Sequence, residues 1–154
     1  MKILGSRERG RRKGPEDWFT GEVWMEPVAN GVPSARMEAL YVEFAAGART
    51  AWHTHPVGQV LQVTSGMGWV QVEGETARAI GPGDVVLIEA NENHWHGAQS
   101  GGAMVHLAIN EADAAGKNVS WGAKVTEAEF AAAGAQGGTV AYRDTKSGSG
   151  HDAD

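Results

Sequence analysis

The 154-residue chain contains no cysteine. It therefore has no disulfide, no thiolate metal ligand and no cysteine nucleophile, and a reducing compartment, the cytoplasm, is its expected setting. No apolar stretch approaches the ~20 residues that span a bilayer. Met1 to Gly21 lacks the apolar centre of a signal peptide, so no export is expected. Positive charge is scarce. Lys and Arg number 13 against 19 Asp and Glu, giving a net charge of −6 and a pI near 5.5. That balance argues against nucleic-acid partners, and no membrane partner is expected. The basic run Arg7-Glu8-Arg9-Gly10-Arg11-Arg12-Lys13 has no interleaved aromatics and reads as a solvated N-terminal arm, residues 1–13. Long helical periodicity is missing through the middle of the chain.

Glycine, by contrast, is abundant at 22 residues, and it bounds short alternating runs. These are Thr20 to Val28, Arg36 to Ala45, Val60 to Thr64, Trp69 to Glu73, Ala77 to Ile80, Val85 to Glu89 and Ala103 to Ile109. Short strands at regular spacing predict an antiparallel sandwich or barrel, and the length suits one domain with a real core, residues 14–136. Ser65-Gly66-Met67-Gly68 and Gly81-Pro82-Gly83-Asp84 mark tight turns. Thr126-Glu127-Ala128-Glu129 is a capping box flanked by Val125 and Phe130 as a hydrophobic staple, which predicts a helix running to Gly134. The polar, small residues of 137–154 read as a flexible tail. The six tryptophans are dispersed and are expected in core, pocket wall or subunit interface.

Chemistry concentrates in His53-Thr54-His55-Pro56-Val57-Gly58-Gln59 and His94-Trp95-His96. If the first segment stays extended, positions 53, 55 and 59 share a face. Three imidazoles and an amide oxygen pointing into one space suit a divalent transition metal. His96 reads as an orienting neighbour rather than a ligand. In the run Met104, His106, Ala108, Asn110, alternate residues share a face. His106 there is an imidazole without a ligand pattern, suited to acid–base work near neutrality. Leu40, Val42 and Phe44, from another alternating strand, would supply apolar walls.

Gly47, His53, His55, Gln59 and Gly66, with Pro82-Gly83-Asp84 and His94 downstream, resemble the two motifs of the cupin superfamily. That resemblance implies an all-β, single-domain cupin, a double-stranded β-helix or jelly-roll barrel, with a short C-terminal helix. More narrowly, Gly14 to Gly21, Ala48 to Pro56, His94 to Gly97 and Met104 to Ile109 resemble the bacterial cupin hydroxynitrile lyases. This likeness implies Mn(2+) held by His53, His55, Gln59 and His94, with His106 as catalytic base. The pocket would comprise Leu40, Val42, Phe44, His96, Ala108 and Asn110. Leu40 stands where that family has a smaller alanine and Asn110 where it has glutamine. Ligand types alone admit Fe(2+) or Zn(2+) as well.

The expected activity is reversible cleavage of a mandelonitrile-type cyanohydrin to aldehyde and cyanide. Gln59 brings no negative charge where cupins commonly have glutamate. The metal's charge then stays uncompensated, which favours Lewis-acid chemistry over oxygen activation. The competing readings are an iron-dependent cupin dioxygenase and a non-catalytic small-ligand-binding cupin. A homodimer or homotetramer is expected, because the strand around Val23 to Met25 can cover a neighbour's sheet edge.

Overall fold

A computed structural model describes residues 1–29 and 36–136. The expected tail of 137–154 lies outside the described residues. Among the described residues, thirteen strands precede one helix. In chain order the strands are β1 (Arg12–Lys13), β2 (Phe19–Thr20), β3 (Val23–Ala29), β4 (Met37–Phe44), β5 (Arg49–Thr50), β6 (His53–Thr54) and β7 (Gln59–Ser65). They continue as β8 (Gly68–Val72), β9 (Arg78–Ile80), β10 (Val85–Ile88), β11 (His94–Ala98), β12 (Met104–Glu111) and β13 (Ser120–Trp121), followed by α1 (Glu127–Gln136).

Two antiparallel sheets face one another. The first runs β1-β3-β4-β12-β7-β10, and the second runs β13-β6-β11-β5-β2, with β8 also on β11 and β9 beyond β8. Strand alternation sorts the side chains. Val42, Phe44, Leu61, Val63, Met104 and Ala108 turn inward to the main core with Val23 and Met25. The barrel expected from the alternating runs is therefore present. Among the described residues, no helix is long and apolar enough to cross a membrane.

The helix covers the outside of the second sheet. Trp69 and Trp95 point away from the barrel centre and pack with Val125, Ala133 and Phe130. The capping box forms in both directions: Glu129 N–H donates to Thr126 Oγ1 at 3.1 Å, and Thr126 N–H donates to Glu129 Oε2 at 2.8 Å. Arg49, only 3% exposed, reaches through to the Val125 carbonyl and Glu127 and lies over the Phe130 ring. The helix passes Gly134 and ends at Gln136. One glycine costs an exposed helix only about 1 kcal/mol, and the buried Ala133 anchors that turn.

Three features differ from the expectations. The segment His53 to Gln59 is not one strand. Pro56 lacks a backbone donor, Gly58 adopts φ +92, and Gln59 opens β7 in the opposite sheet. A side chain at 58 would meet the Ile88 carbonyl at 2.7 Å. Second, His94 to Ala98 forms a strand that its polar pattern hid, because both of its faces are buried. Third, Arg12 and Lys13 of the expected arm are exposed as a solvated arm should be, but their backbone pairs with Met25 and Trp24 on the edge of β3. β1 thus covers the part of the β3 edge at Trp24 and Met25.

Gly66 turns β7 into β8 at φ +74, with an added Cβ only 1.9 Å from the Ala103 carbonyl oxygen. Gly66→Ala is expected to cost about 3 kcal/mol of stability, the upper part of ordinary single-site effects. Urea denaturation checks this; a loss below about 1 kcal/mol contradicts it.

Candidate metal and catalytic site

The site sits where the two sheets close on each other. β6 and β11 pair at His53 and His94, so two imidazoles leave adjacent strands side by side, their ring centres 4.2 Å apart. Gln59 faces them from β7 in the other sheet, and Asn110 on β12 is its register partner. His55 follows β6 just before the turn, 5.1 Å from His53 and 5.5 Å from His94 by ring centres.

Backbone carbonyls orient each of these rings. His53 Nδ1 donates to the Ala51 carbonyl at 2.9 Å, His55 Nδ1 to Asn118 at 2.6 Å, and His94 Nδ1 to Glu92 at 2.8 Å. A neutral imidazole with its proton on Nδ1 presents a bare lone pair at Nε2. Burial keeps the rings neutral. It depresses His53 well below the usual histidine range, with His94 adding repulsion; it lowers His55, and it pushes His94 down to about 4.

The donor set fits a cation on the structure's own terms. His94 Nε2 and Gln59 Oε1 lie 3.2 Å apart. Both are acceptors, because the His94 proton is on Nδ1. Two lone pairs so close in a buried space repel unless a positive charge sits between them. His55 Nε2 is likewise buried without a partner. Ligand atoms of His53, His94 and His96 also fall within 4.8 Å of one another, a group that could hold a metal ion. His96 thus joins the cluster, with its ring centre 5.2 Å from His53 and 5.7 Å from His94, about as near as that of His55. His96 differs from the others in one respect: its Nδ1 meets His106 Nε2 at 2.9 Å rather than a carbonyl.

That His96–His106 pair is fully buried. Burial holds His106 down to about 4 and His96 well below the normal range, with His106 and His53 adding repulsion. His106 is therefore neutral near pH 7, rather than poised at the unperturbed value. One proton is shared across the pair, and His96 Nε2 and His106 Nδ1 are both left without a partner. Exchanging the tautomers of both rings, the shared proton and the outer proton together, switches which outer nitrogen is bare.

A cavity of about 290 Å³ opens beside these groups. Leu40, Val42, His96, Ala108 and Asn110 line it, together with His53, His55, Gln59 and His106. Phe44 does not reach it. Its ring is fully buried behind His106 and His96, at 5.2 and 6.0 Å between centres. Trp18 and Trp121, among the tryptophans expected in core, pocket wall or interface, stack at 5.1 Å to form one wall. Sequence reasoning missed Glu38 and Asn118. The Asn118 side chain donates to Glu38, so β4 anchors the loop whose carbonyl holds His55. No local pattern marks that link, since 80 residues separate its ends.

Glu38→Ala should free Asn118 and loosen the His55 hydrogen bond. The His55 Nδ1 proton is expected to exchange at least tenfold faster by NMR, while that of His94, held by Glu92, keeps its rate. Equal behaviour of both protons would contradict the linkage.

Comparison with known proteins agrees with this architecture. Residues 40–110 match the cupin domain family. The chain is 48% identical over 130 residues to an (R)-mandelonitrile lyase from Granulicella tundricola, covering 84% of this chain and 97% of that protein. A crystal structure of a cupin-like protein from Thermotoga maritima is 41% identical, with a TM-score of 0.73 over 80% of this chain and 92% of that one. A polyketide cyclase from Streptomyces resistomycificus shares the fold at 15% identity, with a TM-score of 0.66 over 84% of this chain and 90% of that one. With the two-sheet barrel, the clustered histidines and these relatives together, the chain belongs to the cupin family.

Proposed function

We propose that this protein is a metal-dependent hydroxynitrile lyase acting reversibly on cyanohydrins of the mandelonitrile type. The observation that carries the reading is the neutral donor set of His53, His55, Gln59 and His94 beside the neutral, buried His106. The 48% identity to an (R)-mandelonitrile lyase supports it independently. His53, His55 and His94 would hold the cation through Nε2, and Gln59 through Oε1. Mn(2+) is the proposed metal, and the same donors accept Fe(2+) or Zn(2+). A divalent cation held there supplies Lewis-acid polarisation of a substrate oxygen.

The chain's own residues do the rest. Gln59 contributes an oxygen without a charge, so the site favours developing negative charge rather than a higher oxidation state. That is the reason the lyase reading stands ahead of an oxygen-activating one. Leu40, Val42 and the Trp18–Trp121 wall exclude water and seat an aromatic or aliphatic substituent. His106, neutral through burial, takes the hydroxyl proton at Nδ1. The bond from carbinol carbon to cyanide then breaks, and the electron pair leaves on cyanide as the carbonyl forms. Protonated His106 is strongly acidic in this dry setting, so it readily returns that proton to the departing cyanide. The same reading places the working enzyme in the cytoplasm as a homodimer or homotetramer with a small-molecule substrate.

His106→Ala should retain metal while cleavage of mandelonitrile falls at least 100-fold, the scale of a lost general acid–base. Benzaldehyde release, measured at matched metal content, checks this, and full activity would refute the role. Gln59→Glu should lower turnover about tenfold at equal occupancy, as expected when about 1.4 kcal/mol of charge stabilisation is lost. An unchanged rate would sink the charge argument.

A further inference from the structure

We propose that Asn110 is a positioning residue for the cation site, holding the Gln59 amide so that its oxygen rather than its nitrogen faces the imidazoles. The inference rests on the reading of Gln59 as a ligand. An amide has two nearly isosteric ends of opposite character: the carbonyl oxygen accepts and the NH₂ donates. Half a turn about the terminal bond of Gln59 would aim Nε2 at the bare His94 Nε2. That hydrogen bond would satisfy both groups and close the site to a cation. Left to themselves, Gln59 and His94 prefer the orientation that disables the site.

The observed orientation is the other one. Gln59 Oε1 lies 3.2 Å from His94 Nε2, and Gln59 Nε2 donates to Asn110 Oδ1 at 2.8 Å. Gln59 and Asn110 are register partners on the paired strands β7 and β12, both buried, so the contact follows directly from the sheet. Asn110 must itself present its oxygen, and its other neighbour opposes the alternative. Across β12 and β4, Asn110 is in register with Glu38. A carboxylate on the β4 side repels the Asn110 oxygen and attracts its NH₂, which turns Oδ1 towards Gln59. Glu38 stands beside Asn110 in the β4–β12 register, and its bond to Asn118 steadies the loop that holds His55.

Asn110 also lines the substrate cavity. A residue that would ordinarily be taken as a pocket determinant alone therefore acts on the ligand set too. Changes made there to reshape the pocket should alter cation affinity before any substrate is added.

The test is a double-mutant cycle read by Mn(2+) titration of metal-stripped protein, using calorimetry and the electron paramagnetic resonance line of the bound ion. Asn110→Leu removes the acceptor at similar volume and is expected to weaken Mn(2+) binding at least tenfold. Asn110→Asp keeps an oxygen towards Gln59 and should bind at least as tightly as wild type. In a Gln59→Leu background, Asn110→Leu should change affinity less than threefold, because nothing remains to be oriented. Wild-type affinity in Asn110→Leu would overturn the proposal. So would an equal tenfold loss in the Gln59→Leu background, which would mark a general effect on the pocket. If Asn110→Leu does not fold, Asn110→Ala, which only deletes atoms at the cavity wall, supports the same cycle. Turnover is not part of the readout. A wild type that binds Mn(2+) but leaves mandelonitrile intact refutes the lyase reading, while the affinities still decide the role of Asn110.

Discussion

His53, His55 and His94 each place the Nδ1 proton on a backbone carbonyl, those of Ala51, Asn118 and Glu92. The chemistry of the barrel depends on this arrangement. A carbonyl can only accept, so it dictates the tautomer, and the tautomer dictates that Nε2 is bare and turned inward. Burial reinforces it by keeping the rings neutral. Two of these acceptors lie two residues from their histidine, in the local bend of the chain. The third comes from Asn118, a loop held to β4 through Glu38.

The donors are divided between two sheets. His53 and His94 belong to the second sheet, whereas Gln59 and its support Asn110 belong to the first. The site therefore forms only when the barrel closes, and its geometry is as rigid as the packing of the two sheets. The same closure buries His106 against His96 and places both beside a cavity with an indole wall. A neutral amide rather than a carboxylate leaves the site's charge uncompensated. The neutral base beside it becomes cationic only while it holds the proton, and burial drives that proton off again.

Much of this was legible in the residues. Alternation in Met37–Phe44, Gln59–Ser65 and Met104–Glu111 marked the inward faces, because a half-buried strand must separate its two sides. The capping box at Thr126 was readable because its two hydrogen bonds are local. The strand His94–Ala98 was not readable as a strand. It is buried on one side by the cavity and on the other by α1, so no polar face remains to set a period. The turn after His55 was concealed by a two-residue spacing that suits an extended chain, and Pro56 and Gly58 break it.

The sequence by itself determined which atoms were available: imidazoles, a neutral amide, no thiol, and alternating faces to carry them. Composition and spacing settle that inventory because they concern residue types and neighbours along the chain. Only the tertiary structure decided which nitrogen of each ring is bare and which end of Gln59 faces inward. It also decided that His96 pairs with His106, and that Phe44 stands behind the pocket rather than in it. Those outcomes depend on partners such as Asn118, Asn110 and Glu38, which are distant in sequence and meet only when strands register. Hydrogen-bond direction is a property of the pair, and the pairs exist only in the folded barrel.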